Sequence, residues 1–396
     1  MALLDRDRAN SVMDARGLDA LIATSRENVE YAASYHSFGQ WLMPASHTFV
    51  VVPRSAELPV TLVLSYGELD VLATSSAEVQ RVAPYGSFVV MRDENAQLGE
   101  VEREVLRLRE LPRYPDAVAA LVEVLSDLRL SGARLGLDEY GIRPQLRDQF
   151  KAELPQASWD DGYLAFQQIR MVKTPEEQER LGKAVEIAEH ALLACVAAFH
   201  EGTDEHELLR AYEEDVLAQG GRLTFAHILI REHAALSNGH ATGRRLAKDD
   251  WVRFDVGCSY REYNSDIART VSFGEPGDKL RRYYDAILAG ENEALAQLKP
   301  GVTAGQLFDG AVKATRSAGI PDYERHHVGH GIGIEMYDPP IVSPGVDTQV
   351  EAGMVLNIET PYYEMGWGGV QVEDTVVVTP SGYRFLTRSD RQLMVV

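Results

Sequence analysis

Acidic residues inside four β-rich segments are the strongest constraint on how this chain can fold. Asp255 lies in WVRFDVG (251–257), Asp266 in YNSDIARTVSF (263–273), Glu359 in GMVLNIETPYY (353–363) and Glu373 in GGVQVEDTVVVT (368–379). For any one of them, a carboxylate at the end of a strand is an adequate interpretation. Four carboxylates in sheet interiors would lose their hydration and repel one another unless a cation compensates them. The set therefore predicts strands that meet around positive charge.

The spacing of these acids indicates how the strands pair. Asp255 and Asp266 are eleven residues apart, with a polar, glycine-containing turn between them. This spacing suits adjacent antiparallel strands that carry the two carboxylates side by side. Glu359 alternates with apolar residues in its segment, and so do Gln371 and Glu373 in theirs. Because successive side chains point to opposite faces of a strand, these polar residues should point away from the apolar face.

The segment HHVGHGIGIEMYDPP (326–340) adds nitrogen ligands. Its first eight residues contain three histidines and three glycines. Taken alone, it fits either a turn with surface histidines or a site where glycine lets the backbone approach a bound group. One imidazole added to four carboxylates makes a ligand set suited to two divalent ions of the Mn, Co, Fe or Zn type. Two such ions would lower the pKa of a shared water for hydrolysis.

Charge, apolar runs and cysteines exclude several classes of protein. The 396 residues include 39 Lys+Arg and 60 Asp+Glu, a formal net charge of −21, which argues against nucleic acid or an anionic membrane as a partner. No stretch approaches the roughly 18 uninterrupted apolar residues of a membrane span, and the charged start is unlike a signal peptide. Cys195 and Cys258 are too few for a disulfide framework. We therefore expect a cytoplasmic protein.

The order of helical and β-rich patterns predicts two domains. Residues 1–160 interleave the two kinds of segment, as a small α/β domain does. The helical segments are 6–16, 115–130 and a helix from Arg143, and the β-rich segments are 18–24, 47–53, 60–66 and 134–138. The run LPQASWDDGY (154–163) has no periodicity, so we place the boundary at 160/161.

The second domain, residues 161–396, is predicted to be α+β. Its first long helix starts with Thr174 as cap, Pro175 at the first helical position and Glu177 completing a capping box. Three more helical patterns follow at 204–220, 278–298 and 303–319, with strand hairpins between and after them.

Four motifs resemble those of a known family. DVGCSYREYNSDIART, HHVGHGIG, NIETPYY and GGVQVEDTVVVT are similar, in order and spacing, to the metal motifs of the pita-bread metallohydrolases, which include prolidase, aminopeptidase P and methionine aminopeptidase. The resemblance covers about residues 170–396. It implies a creatinase/prolidase-like α/β domain at 1–160 for dimerisation and substrate gating, before a pita-bread catalytic domain at 161–396. It also implies a homodimer, with the aromatic-containing stretch 35–47 as a dimer or gating loop.

The resemblance also assigns roles to single residues. Asp255 would bind one divalent ion (Mn, Co or Zn), and Asp266 and Glu373 would bridge two. His330 and Glu359 would complete the second site, with Glu359 also the general base for the bridging hydroxide. The remaining assignments are catalytic contacts with the substrate carbonyl for His240 and His326, and a place near the substrate for Tyr363. The adjacent His327 is predicted to be a structural neighbour, and His227 and His233 are assigned to packing or solvent.

Two positions depart from the prolidase and aminopeptidase P pattern. Tyr337 stands where that branch has a histidine, and Gln371 stands where it has an arginine. Neither side chain carries positive charge at neutral pH, which affects recognition of a proline carboxylate. The first expectation is hydrolysis of Xaa-Pro dipeptides or short Xaa-Pro peptides. The alternatives are a related hydrolase or lyase acting on a non-peptide small molecule, of the ectoine-hydrolase or sulfoniopropionate-lyase type, and a binding module without catalysis.

Overall fold

A division after Arg170 separates two compact units, Met1–Arg170 and Met171–Val396, in this computed structural model, which describes residues 3–43 and 46–396. The sequence places the boundary at 160/161, ten residues earlier. The difference arises because Ser158–Asp161 forms an edge strand that pairs in parallel with Arg134–Leu137. The helix Gly162–Arg170 then packs on that sheet. A short, half-exposed edge strand carries no apolar alternation, so its sequence resembles a linker.

The first unit is a mixed α/β sheet with helices. In the described residues its helices are α1 (Arg6–Arg16), α2 (Arg26–Ala33), α3 (Phe38–Leu42), α4 (Leu69–Thr74), α5 (Glu100–Arg109), α6 (Ala117–Asp127), α7 (Pro144–Glu153) and α8 (Gly162–Arg170). The strands are β1 (Ala20–Ala23), β2 (Phe49–Pro53), β3 (Thr61–Ser65), β4 (Arg81–Tyr85), β5 (Arg134–Leu137) and β6 (Ser158–Asp161). They lie in the order β4-β3-β2-β1-β5-β6, and α6 and α7 contribute to the apolar core on this sheet.

The predicted gating stretch 35–47 contains α3. Phe38, Trp41 and Leu42 in it are exposed. Residues 44 and 45 lie outside the described residues, and the role of the stretch stays a prediction.

The second unit is built on a large sheet. Over its described residues its helices are α9 (Pro175–Ala197), α10 (Glu205–Ala218), α11 (Asp278–Gln297) and α12 (Ala304–Ala318). The strands are β7 (Arg222–Ile230), β8 (Trp251–Tyr260), β9 (Tyr263–Asn264), β10 (Ile267–Ser272), β11 (Gly329–Gly331), β12 (Asp338–Ile341), β13 (Val355–Glu359), β14 (Tyr362–Glu364), β15 (Gly368–Val370), β16 (Glu373–Thr379), β17 (Gly382–Phe385) and β18 (Met394–Val395).

Strand pairing in this unit positions the site. The main path runs β12-β11-β13-β16-β10-β8-β7, with neighbouring strands antiparallel. Helices α11 and α12 pack on one another, and their apolar side chains join Leu356, Ile358 and Val376 in one buried cluster. This cluster covers one face of β13 and β16, so their alternate side chains lie on the opposite face. Among the described residues we find no helix long and apolar enough to cross a membrane.

Candidate metal centre

Five adjacent strands bring the predicted ligands to one region of the sheet. Glu359 at the end of β13 lies directly opposite Glu373 at the start of β16. Asp266 immediately precedes β10, and Asp255 lies on β8 next to it, as the eleven-residue spacing predicts. His330 on β11 completes the arrangement from the other side of β13. Ligand atoms of Asp266, His330 and Glu373 all lie within 4.8 Å of one another.

The carboxylates in this region oppose one another's ionisation. Burial, and then the carboxylates of Asp266, Glu359 and Asp255, raise the pKa of Glu373 well above its ordinary value. Burial raises the pKa of Asp266 to about 6, and burial raises the pKa of Glu359 to about 7 although the charge of Arg325 opposes the increase. Directly opposed like charges destabilise a sheet. A cation bound among these carboxylates would favour their ionised forms.

Buried polar atoms that lack hydrogen-bond partners indicate whether the site suits a cation. Asp266 Oδ1 and His330 Nε2 are both buried and have no hydrogen-bond partner in the part of the chain that the structure describes. His330 Nδ1–H donates to the carbonyl of Gly331 at 2.9 Å, so Nε2 is the candidate ligand atom, and it lies 3.6 Å from Asp266 Oδ2. Asn357 Nδ2 donates to Glu373 Oε1 at 3.0 Å and holds that carboxylate in place. Oxygen donors with one imidazole fit a divalent ion.

Glycines allow His330 to sit against backbone. A Cβ on Gly329, whose φ is +146°, would lie 2.1 Å from the carbonyl oxygen of Asn357. A Cβ on Gly331 would lie 2.5 Å from the carbonyl oxygen of Pro339. Any other residue at these two positions would push β11 away from its neighbours. The glycines flanking His330 are thus required by the close approach of three backbone segments.

The ring of Tyr337 packs against buried His330. The two rings stack with centroids 3.8 Å apart, and half of Tyr337 is exposed. The next residue, Asp338, forms a buried ion pair with Lys173 at 3.2 Å. This pair fixes the start of β12 and with it the backbone that presents Tyr337.

Of the two adjacent histidines, His327 rather than His326 reaches the cluster. His327 Nδ1 lies 3.2 Å from Glu359 Oε1, and burial lowers the pKa of His327 to about 4. His326 is exposed and makes no hydrogen bond with any described residue. The structure thus places the imidazole of His327, rather than that of His326, beside Glu359. The interpretation of His327 as a structural neighbour stays a prediction. The catalytic role predicted for His326 has no contact to support it.

Gln371 and Tyr363 are joined in a hydrogen-bonded network beside Glu359. Tyr363 Oη donates to Gln371 Oε1 at 3.2 Å, and Gln371 Nε2 donates to Glu359 Oε2 at 3.3 Å. Arg253, which sequence reasoning missed, donates from Nη1 to Gln371 Oε1 at 2.9 Å and to Asp255 Oδ2 at 3.0 Å. Its position two residues before Asp255 in one strand was the available signal, because alternation puts both on one face.

Arg325 is a second cation that the sequence analysis missed. Its guanidinium carbon lies 5.5 Å from the centroid of the Tyr363 ring. The charge of Arg325 lowers the pKa of both Glu359 and His327. It thereby opposes the effect of burial on Glu359 and reinforces the effect of burial on His327. Its Nε is buried and has no hydrogen-bond partner among the described residues.

His240 lies in a loop that is fixed at both sides. Its side chain is exposed, and its predicted contact with the substrate carbonyl stays a prediction. His227 Nδ1 donates to the carbonyl of Gly239 at 3.0 Å on one side. On the other side the fully buried Glu205 accepts hydrogen bonds from the backbone N–H and the hydroxyl of Thr242, at 2.8 and 2.7 Å.

The raised pKa values predict how metal-free protein responds to pH. Asp266, Glu359 and Glu373 hold their protons more tightly in the folded than in the unfolded chain. Their contribution to stability is complete below about pH 4 and is lost as the pH rises through about 6 to 7. Chelated protein should therefore have a Tm that falls between about pH 5 and about pH 8. Glu359→Gln should lose less stability over this range, with a difference from wild type on the order of 1–3 kcal/mol in unfolding free energy.

Thermal unfolding of chelated wild type and Glu359→Gln at several pH values measures this difference. Comparing the two proteins cancels the titration of groups that are remote from Glu359. Parallel pH profiles for the two proteins would contradict the prediction. Added divalent metal should remove the wild-type slope, because a bound cation favours the ionised carboxylates.

Comparisons with known proteins agree with this geometry. The family model described as metallopeptidase family M24 matches residues 179–380, and that of the creatinase/prolidase amino-terminal domain matches residues 6–172. The Xaa-Pro dipeptidase of Pyrococcus furiosus is 31% identical over 311 residues, which are 78% of this chain and 89% of that protein.

Solved structures extend the match over nearly the whole chain. The prolidase of Pyrococcus horikoshii superposes with a TM-score of 0.77 at 25% identity, covering 98% of this chain and 99% of that one. The X-Pro aminopeptidase of Thermotoga maritima gives a TM-score of 0.78 at 23% identity over 99% of both chains, which shows a shared fold. The protein thus belongs to metallopeptidase family M24, with a creatinase/prolidase-type amino-terminal domain before a pita-bread catalytic domain.

Proposed function

We propose that this metallopeptidase cleaves the bond before proline in Xaa-Pro dipeptides or short Xaa-Pro peptides, using two divalent ions of the Mn, Co or Zn type. The observation that carries the proposal is the cluster of Asp266, His330 and Glu373, in which buried Asp266 Oδ1 and His330 Nε2 lack partners. The match to an Xaa-Pro dipeptidase across 89% of that protein supports the substrate class.

The proposed ligand roles follow the order of the strands. Asp266 and Glu373, on the two central strands of the set, would be shared by both ions, with Asp255 on one side and His330 and Glu359 on the other. When bound, two such ions lower the pKa of a water and polarise the scissile carbonyl. The contribution of the chain is to hold these side chains, and hydrogen bonds from Asn357, Gln371 and Arg253 do so for Glu373, Glu359 and Asp255 respectively.

Glu359 is the proposed general base. Its ionised carboxylate would accept a proton from the attacking water and pass it to the leaving proline nitrogen. His327 Nδ1, 3.2 Å from Glu359 Oε1, is neutral near pH 7 because burial lowers its pKa to about 4. A neutral imidazole can orient the carboxylate without removing its basicity as a fixed positive charge would.

Arg325 is the proposed contact for the free carboxylate of a dipeptide. The family's cationic positions hold Tyr337 and Gln371 here. Arg325 brings a guanidinium to the same side of the site, over Tyr363, and its buried Nε has no partner within the described part of the chain. A guanidinium with free donors suits a carboxylate because the two can form charge-assisted hydrogen bonds.

A substrate panel tests the proposed function. Chelated protein should be inactive, and Mn, Co or Zn added singly should restore hydrolysis of Xaa-Pro dipeptides. The panel includes carboxyl-amidated Xaa-Pro dipeptides, longer Xaa-Pro peptides and cyclic amides. We expect wild type to prefer the free carboxylate, and Arg325→Met to lose on the order of 10- to 100-fold in kcat/KM on free dipeptides but much less on amidated ones.

The same panel separates the alternatives. Hydrolysis of cyclic amides without cleavage of Xaa-Pro bonds would favour the non-peptide hydrolase, and metal binding without any turnover would favour the binding module. Activity that survives chelation would contradict metal-dependent hydrolysis. The homodimer and the cytoplasmic location stay predictions from the sequence.

A further inference from the structure

Arg253 uses every donor of its guanidinium inside the site. The side chain is fully buried on β8. Nε donates to Ala234 O at 3.0 Å, and Nη2 donates to Leu236 O at 2.9 Å and Ser237 O at 3.3 Å. Nη1 donates to Asp255 Oδ2 at 3.0 Å and Gln371 Oε1 at 2.9 Å. A guanidinium has five N–H groups, so none is left for a substrate.

The acceptors of these hydrogen bonds belong to three parts of the site. Asp255 is a proposed metal ligand, and residues 234–237 begin the loop that carries His240. Gln371 accepts from Arg253 and also donates to Glu359, the proposed base. Arg253 is therefore connected to both carboxylates that flank the central cluster, and to a loop distant in sequence, without a free donor of its own.

The pairing of strands explains why Arg253 and Gln371 meet. Arg253 on β8 is the cross-strand partner of Thr270 on β10. Gln371, just before β16 on the other side of β10, donates from its N–H to Thr270 Oγ1 at 2.9 Å and accepts from that hydroxyl through its carbonyl at 3.1 Å. Their side chains thus approach the same point from opposite sides of one strand, next to Asp255 and Glu359.

We propose that Arg253 is a positioning residue that supplies, from β8, a buried guanidinium that position 371 could supply instead, and that the place between Asp255 and Glu359 accommodates only one of the two. A guanidinium at 371 would meet Arg253 and deprive it of the Gln371 oxygen. With Arg253 removed, a guanidinium at 371 would face Asp255 and Glu359 from the other side. The expected effect on catalysis rests on the proposed function, whereas the expected effect on stability rests on the hydrogen bonds of Arg253 alone.

A double-mutant cycle tests this exchange. The proteins are wild type, Arg253→Met, Gln371→Arg and the double variant, each measured for Tm without metal and for kcat and KM with Mn²⁺. Each single change should lower kcat by at least about tenfold, with KM for the dipeptide altered less than about threefold because Arg253 has no donor for the substrate. The double variant should recover most of the lost kcat and most of the lost Tm.

Two outcomes would overturn the proposal. One is a double variant whose losses in kcat and Tm are those expected from adding the effects of the two single changes. The other is a Gln371→Arg protein that is as stable and as active as wild type. The second decides the matter even if Arg253→Met does not fold. Arg222→Met, an exposed arginine on neighbouring β7, controls for loss of charge alone. Since Tm is read without metal or substrate, an inactive wild type would contradict the proposed function while the Tm cycle still decides the role of Arg253.

Discussion

Asp266→Asn and Glu373→Gln are each expected to lower kcat/KM by at least about 10³-fold, because each removes a charge that the two proposed ions would share. The side chains keep their size, so the fold should persist. In metal-free protein, by contrast, Glu373→Gln is expected to increase stability. Glu373 is buried among Asp266, Glu359 and Asp255, which raise its pKa well above the ordinary value, so neutralising it relieves repulsion.

Calorimetric metal titration and thermal unfolding read the two effects separately. Glu373→Gln should unfold at a higher Tm than wild type without metal at about pH 8, and should gain less from added metal. Glu364→Gln, at a surface glutamate paired with Lys279, is the matched control and should change neither quantity. A Glu373→Gln protein that binds two ions and turns over normally would contradict the assignment.

His327→Ala is expected to lower kcat by on the order of 10²-fold, whereas His326→Ala should lower it by less than about tenfold. The reason is the 3.2 Å approach of His327 Nδ1 to Glu359 Oε1, for which exposed His326 has no counterpart. Both variants should keep their metal, because neither residue belongs to the cluster of Asp266, His330 and Glu373. Steady-state kinetics on one dipeptide, with metal content measured in parallel, gives the comparison. If His326→Ala has the larger effect, the family resemblance assigns the pair correctly and the contact with Glu359 is incidental.

Local patterns predict much of the fold. Helix α9 begins at Pro175 because Thr174 Oγ1 accepts from Glu177 N–H and Glu177 accepts from Thr174 N–H, which confirms the capping box. The antiparallel pairing of β8 and β10, inferred from the spacing of Asp255 and Asp266, is also confirmed. These features depend on residues close in sequence, where periodicity and capping act directly.

Alternation within a strand is informative about faces but not about what covers them. Asn357 and Glu359 do lie opposite Leu356 and Ile358, yet all four residues are buried. Strand β11, far away in sequence, pairs with β13 and places His330 opposite Asn357, so the polar face is built by segments that the local pattern does not contain. A pattern of polar and apolar residues therefore resembles a half-exposed strand when it belongs to a buried polar site.

The missed residues share one physical cause. The sequence does not indicate which of His326 and His327 turns inward, because His327 is beside Glu359, 32 residues later in the chain. Likewise, the segment 368–379, which contains Gln371, has no lysine or arginine of its own. The cation comes from Arg253, 118 residues earlier, through the order of the strands.

The cross-strand pairing of Glu359 with Glu373 makes metal uptake an exchange of ions. Without metal, burial and the neighbouring carboxylates raise the pKa values of Glu359 and Glu373, which favours bound protons among these carboxylates at neutral pH. Each arriving divalent ion must displace such protons, so the apparent metal affinity rises with pH and loading acidifies an unbuffered solution. At a fixed free-metal concentration, occupancy therefore depends on the acidity of the surroundings. Metal occupancy is therefore set jointly by the free-metal concentration and by the pH.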